Sequence, residues 1–215
     1  LISDTLVIQP DPASANQLLN VISGTEDPYL GASKVTELLQ RMGLVNSYLL
    51  TPFGADPQAG QRPLTTPANS AETLRTTPDL YRQFTAEDIG MLLANIYYCA
   101  QGRGGALSAL YADEITQGEC QEMLDYMAQN KIESLLQEGI PPTVPVAHRH
   151  GWISDTHGDA GIVFSSGGDY VIVELLYKPD FLEWEISSPL LADISRATYN
   201  FFNFDNPYLS DSRAN

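Results

Sequence analysis

Positive charge is scarce in this sequence. Eleven lysines and arginines stand against 27 aspartates and glutamates, a formal net charge of −16. Gripping a phosphate backbone takes a basic face, so the balance excludes nucleic acid as a partner and disfavours docking on anionic lipid. Long apolar runs are also missing. None approaches the roughly 20 residues that a helix needs to span a bilayer. The chain does not open on methionine, and no charged stretch with an apolar core precedes Leu1. The expectation is therefore a fragment, or a chain from which a leader and more were removed. Only two cysteines occur, Cys99 and Cys120, which excludes a scaffold built on many disulfides. They read either as two small buried thiols or as a bridge between neighbouring helices. A bridge would stabilise the fold by roughly 3 kcal/mol and place the protein outside the cytosol. No internal repeat and no linker divides the chain, so one domain over 1–215, incomplete at its N-terminal side, is expected.

Of the 215 residues, 43% are hydrophobic and 18% charged, a globular composition with enough chain for a substantial core. Asp11-Pro12 reads as a helix start, a capping carboxylate followed by proline at the first helical position. Ala15, Leu18, Leu19 and Ile22 follow at helical spacing, and Gly24 ends the helix. Val35, Leu38, Leu39 and Met42 form the stripe of a second helix that stops at Gly43. From about Thr51 to Phe84 repeated prolines and paired threonines describe a long irregular excursion, of the kind that is functional or disordered. Thr85-Ala86-Glu87-Asp88 and Thr116-Gln117-Gly118-Glu119 each resemble a capping box. The second starts a helix expected to run towards Gly139.

After Pro141-Pro142 the period changes from helix to strand. Val144 to Ile153, Gly161 to Phe164 and Tyr170 to Tyr177 read as three strands, with a polar turn over Ser154 to Asp159 and a glycine-rich hairpin at Ser165 to Asp169. Ser188-Pro189 then reads as the start of a terminal helix with Leu190, Leu191, Ile194, Ala197 and Phe201 inward. The expected fold class is α+β: a mostly helical part over 11–140, an antiparallel sheet with its covering helix over 144–203, and a polar tail over 204–215. Three strands are few for so many helices, and further strands are expected from preceding sequence.

The densest chemistry lies in His148-Arg149-His150-Gly151-Trp152. Strand alternation puts His148 and His150 on one face and Arg149 on the other. A cation on a sheet edge, beside a small polar position and a glycine, suits a carboxylate: charge attracts it, and glycine lets a substrate backbone approach. The competing reading is an edge strand protected by charge. The triplet Arg149-His150-Gly151 resembles the lysine–threonine–glycine motif of the penicillin-recognising serine enzymes, the β-lactamase and penicillin-binding family of bacteria. Its setting resembles theirs too, with a hairpin and a C-terminal helix downstream. Asp11 to Leu19 resembles the helix after that family's serine–aspartate–asparagine loop, Gly31 to Leu44 its next helix, and Thr85 to Leu93 the helix after the long loop.

The resemblance implies an extracytoplasmic hydrolase that transfers an acyl group from a β-lactam or a peptide-like amide to serine, without a cofactor, acting on a small-molecule or peptidoglycan-like substrate. Arg149, His150 and Gly151 would bind substrate. The departures are specific. No serine is followed three positions later by lysine, the partner that helps deprotonate the nucleophile, so that motif is expected before Leu1. The middle motif falls in register on Pro10-Asp11-Pro12, where proline neither relays a proton nor donates an amide. Ser14 and Asn16 fit a looser serine–x–asparagine pattern, and Ser3-Asp4-Thr5 is a near match at the wrong distance. Glu72 is the one carboxylate near the place of a deacylating base, and reads equally as a solvated loop residue.

Two other classes remain. His148, His150, Asp155, His157 and Asp159 offer nitrogen and oxygen ligands of the kind zinc takes, at a spacing that fits no known metallo-hydrolase motif. The other is a non-catalytic interaction domain of penicillin-binding shape, with an aromatic groove from Trp152, Trp184, Tyr170 and Tyr177.

Overall fold

The computed structural model describes residues 2–6, 12–130, 132 and 134–209. Pro10 and Asp11, on which the first cap and the middle motif fall, lie outside the described residues. The chain divides into two compact units, Leu1–Tyr126 and Met127–Asn215.

The first unit opens with α1 (Ile2–Leu6), α2 (Pro12–Ser23) and α3 (Pro28–Arg41). Asp27 caps α3, its carboxylate accepting from the amides of Tyr29 and Leu30, with Pro28 at the first helical position. Helices α2 and α3 meet backbone to backbone. A Cβ at Gly31 would lie 2.0 Å from the Leu19 carbonyl oxygen, so only glycine permits the approach. Two short strands that lack any periodic signal, β1 (Tyr48–Leu49) and β2 (Arg82–Gln83), pair antiparallel and close the base of the long excursion. The Thr36 hydroxyl ties α3 to β1, donating to the Leu49 carbonyl at 2.6 Å and accepting from its amide at 2.9 Å. Inside the excursion the Asn69 amide donates to the Leu64 carbonyl and to Gln83.

Helices α4 (Ala86–Ala100), α5 (Ala106–Leu110) and α6 (Gln117–Met127) follow. Thr85 caps α4 by accepting from the Asp88 amide, but the Asp88 carboxylate accepts from Asn46 instead of reaching back, so this box is half formed. The Thr116–Glu119 box is complete in both directions. Its hydrogen bonds hold the Glu119 carboxyl below the ordinary range. Cys99 and Cys120 form a disulfide joining α4 to α6. Helix α6 stops at Met127 instead of running on to Gly139; Leu135–Gly139 is a separate 3-10 turn. Leu135 has φ +56° and is fully buried, a left-handed conformation that no α-helix accommodates.

The second unit holds the sheet: β3 (Val146–Trp152), β4 (Thr156–Val163) and β5 (Tyr170–Tyr177), antiparallel in the order β3-β4-β5. Strand β4 begins at Thr156, five residues before the expected Gly161, so most of the expected polar turn is strand and the connection shrinks to 153–155. Central pairing on both sides outweighs the low strand propensity of this polar, glycine-bearing segment. Helix α7 spans Trp184–Phe202 and starts before Ser188-Pro189, with Pro189 inside it. The missing proline amide removes one intrahelical bond near the start of a 19-residue helix, where the remaining ladder carries it.

The inward face of α7 also differs from expectation. Ser187, Ser188, Leu191, Ala192, Ser195 and Tyr199 are buried, whereas Leu190, Ile194 and Phe201 are exposed, Phe201 by 77%. The helix is rotated because its small serines fit against the 3-10 turn: Ser195 donates to the Leu136 carbonyl at 2.8 Å, and Ser188 accepts from the Leu135 amide. Leu136, Ile140, Val146, Val163, Tyr170, Ile172 and Tyr199 form the apolar core beneath.

Candidate active site

Register decides what surrounds the β3 triplet. His150 sits opposite Asp159, which sits opposite Glu174, while His148 sits opposite Gly161. These side chains share the buried face of the sheet. A Cβ at Gly161 would lie 2.6 Å from the His148 Cβ, so the glycine makes room for the imidazole. His148 is fully buried, and its Nδ1 lies 3.0 Å from each Asp159 oxygen. Its Nε2 is buried without a partner, as are both Glu174 oxygens and the Tyr170 hydroxyl. Burial, then the Asp159 charge, pushes the Glu174 carboxyl up to about 8. Glu174 is therefore protonated at neutral pH, which spares the core a second carboxylate beside Asp159.

Arg149 points the other way and is half-buried. Burial draws its pKa down, and the Asp159 charge acts against that shift. His150 is buried beside it, its ring stacked on Trp152 at 5.2 Å. Burial is the main cause that lowers His150 to about 4; Asp159 opposes it, and Arg149 and His148 add to it. His150 is thus a neutral imidazole at neutral pH. Gly151 is exposed, and a Cβ there would meet nothing within 4 Å. Strand β3 is an edge of this three-strand sheet. It offers the Arg149 guanidinium and open backbone at Gly151, groups able to hold a carboxylate, while the neutral His150 ring is buried on the other face.

The five residues considered as metal ligands are parcelled out to different partners. His148 faces Asp159, His150 faces Asn130, His157 Nδ1 lies 2.6 Å from the Ser187 hydroxyl, and Asp155 accepts from Thr156. Among the described residues no group of three or more such side chains converges to hold a metal. The aromatic groove is likewise divided. Trp152 and Trp184 meet edge to face at 5.3 Å and line a cleft with His157 and Phe181, while Tyr170 is buried and stacks on Phe202.

Ser14, Asn16 and Glu72 belong to the first unit, and Arg149, His150 and Gly151 to the second. Ser14 is buried on α2. The Asn16 amide is spent on the loop, donating to the Phe53 carbonyl and accepting from the Phe53 amide. Glu72 is exposed. Sequence reasoning missed Asn130 and Glu174. Glu174 had a signal: a carboxylate at an inward position of the otherwise apolar strand Tyr170–Tyr177. Asn130 had none, since it falls where α6 was expected to continue.

The model of the β-lactamase enzyme family matches residues 7–202. None of the curated proteins matches the chain. Among solved structures, PBP-A is similar at 21% identity and TM-score 0.63, over 94% of this chain and 60% of that one. A β-lactamase from Sphaerobacter thermophilus DSM 20745 is similar at 16% identity and TM-score 0.65, over 95% and 63%. An ancestral (GNCA) class A β-lactamase is similar at 16% identity and TM-score 0.63, over 93% and 63%. The chain thus spans about three-fifths of the length of these structures, and shares their α+β fold, with its antiparallel sheet, over nearly all of its own. By the family match over 7–202, this chain belongs to the β-lactamase enzyme family.

Proposed function

We propose that the chain is the carboxylate-holding part of a single serine β-lactamase-type domain, whose reaction is acyl transfer from a β-lactam or a peptide-like amide to serine. The observation that carries this is the edge placement of Arg149-His150-Gly151 on β3. In this reading Arg149 attracts the substrate carboxylate, His150 lines the same strand and Gly151 lets the substrate backbone come close. Arginine in place of lysine keeps the charge and offers a planar fork of donors. A variant of the related PBP-A forms an acyl-enzyme complex with penicillin G, the kind of intermediate proposed here. No cofactor enters this chemistry.

The reading places the nucleophile motif, serine–x–x–lysine, in sequence outside these 215 residues. Two surfaces support a covering segment of that origin. Strand β5 is the far edge of the sheet, and α7 exposes Ile186, Leu190, Ile194 and Phe201 along its outer side. An unpaired strand edge and an apolar helix stripe are what an added strand and helix would cover. The oxyanion hole would draw backbone amides from β3 and from the nucleophile turn. The Cys99–Cys120 disulfide supports an extracytoplasmic, oxidising setting.

A fluorescent penicillin tests the reading. The 215-residue chain should not be labelled, whereas a protein extended to include serine–x–x–lysine should be. Arg149→Ala in the extended protein should slow acylation roughly tenfold or more, from the loss of one charged contact worth about 1.5–3 kcal/mol. Labelling of the short chain would show the nucleophile to lie within it. A folded but unlabelled extended protein would favour the non-catalytic interaction domain, the reading that the absence of serine–x–x–lysine from this chain supports.

A further inference from the structure

His150 occupies the position of a threonine in the motif that the β3 triplet resembles, and an imidazole is a sound replacement only in one protonation state. Asn130 faces it. Asn130 is buried, and its Nδ2 lies 3.1 Å from His150 Nδ1 and 3.3 Å from the His148 carbonyl oxygen. A carbonyl only accepts, so the asparagine atom at this point is the amide nitrogen, and it donates to both. His150 Nδ1 must then be the bare, accepting nitrogen, and the ring proton resides on Nε2.

We propose that Asn130 is a positioning residue that fixes His150 as the neutral Nε2–H tautomer, so that Arg149 is the one cation of the β3 triplet. This rests on the reading of the triplet as a carboxylate holder. Within it, the triplet carries one charge, on Arg149, and a neutral ring at the position of the threonine. The groups facing the ring agree with a neutral state. Trp152 stacks on one face, Asn130 donates to Nδ1, and Asp159 opposite is already engaged by His148. His148 lies 6.5 Å away between ring centres, and Arg149 is the adjacent cation. Burial lowers the pKa of His150 to about 4, so the tautomer persists across the neutral range.

The chain has only three histidines, so long-range proton–nitrogen NMR spectra of the 15N-labelled 215-residue protein resolve each ring. The expected result is a His150 ring protonated on Nε2, bare on Nδ1, and uncharged down to about pH 5. Asn130→Asp turns the donor into an acceptor; it should move the proton to Nδ1 and raise the His150 pKa by a unit or more. Asn130→Ala should give a mixture of tautomers, and serves if the aspartate variant does not fold. A proton on Nδ1 in the unaltered protein, or variants that leave tautomer and pKa unchanged, would overturn the proposal. Adding penicillin G should shift the backbone amide signals of Arg149 and Gly151, and its methyl ester should not. The predicted tautomer with no response to either compound would sink the carboxylate-holding reading while leaving the role of Asn130 intact.

Discussion

In the first unit several of the most buried polar side chains are spent on the backbone; in the second, one face of the sheet buries ionisable groups against one another. Thr36 bonds both backbone groups of Leu49, Asp88 takes the Asn46 amide and Asn95 takes that of Ala106. Each ties a loop, a strand or the start of a helix to a neighbouring helix, and none is a base or acid awaiting a partner. On the sheet, His148, Asp159 and Glu174 crowd together, and the Glu174 oxygens and His148 Nε2 have no hydrogen-bond partner. Leaving such groups unsatisfied costs about 1–3 kcal/mol each; the first unit leaves Asn20 Oδ1 and Thr51 Oγ1 in that state, but among the described residues it is the second that does so with ionisable groups. The contrast separates a region organised for stability from one that holds protons near a candidate binding strand.

The largest expected break in that comparison is covalent. Removing the disulfide through Cys99→Ser with Cys120→Ser opens a loop whose ends are 21 residues apart, and should destabilise the protein by roughly 3 kcal/mol. The loss should fall on the first unit. Hydrogen exchange should quicken in α4 and α6 and stay slow in β4, the central strand. Equal loss of protection in both would show that the units unfold as one and that the contrast has no energetic meaning.

The second test uses pH. Glu174 has its folded pKa raised to about 8 from 4.5. The folded state therefore binds the extra proton, and its contribution is lost as pH rises through that window. His150 has the opposite sign. Its folded pKa is lowered to about 4 from 6.5, so stability is lost as pH falls through that range. Between 4.5 and 6.5 the two slopes oppose each other. From 6.5 to 8 Glu174 acts alone, and stability should fall by roughly 2 kcal/mol. Glu174→Gln should flatten that limb in urea titrations at a series of pH values. A wild-type profile flat from 6.5 to 8 would mean that the carboxyl is solvated, and that the second unit is no more strained than the first.

Much of this layout could be read from residues, and the failures share a cause. The Thr116–Glu119 box, the strand Tyr170–Tyr177 and the β3 segment carry local signals, in spacing, capping chemistry or alternation, and each forms close to where those signals place it. In sequence Thr156-His157-Gly158-Asp159 resembles a turn; only pairing on both sides and the Asp159–His148 contact make it part of strand β4. The candidate site splits the same way. The Arg149-His150-Gly151 run stands out in sequence, but the neutral state of His150 comes mainly from burial, and its ring faces Asn130, 20 residues earlier. No local pattern encodes a partner at that distance.

The inward face of α7 escapes its sequence pattern for a related reason, and the smallest predicted effect lies there. Helical periodicity ranks large apolar residues as inward, which puts Leu190, Ile194 and Phe201 against the core. The buried side instead carries Ser187, Ser188 and Ser195, whose hydroxyls satisfy backbone groups and the His157 ring. Ile194 is 41% exposed. Ile194→Asp in the 215-residue chain should thus cost under about 1 kcal/mol, the sum of a small helix-propensity penalty and an ordinary surface change. Leu191→Ala, on the buried side one residue past Leu190, should cost about 2–5 kcal/mol. If an added segment covers the outer stripe, the aspartate becomes a buried unpaired charge, and its cost in the extended protein should climb to several kcal/mol. Chemical denaturation of both lengths, with and without the substitution, measures the difference. A cost equally small in both would leave the stripe solvent-facing and remove it as support for a covering helix. A large cost already in the short chain would mean that Ile194 points into the core after all.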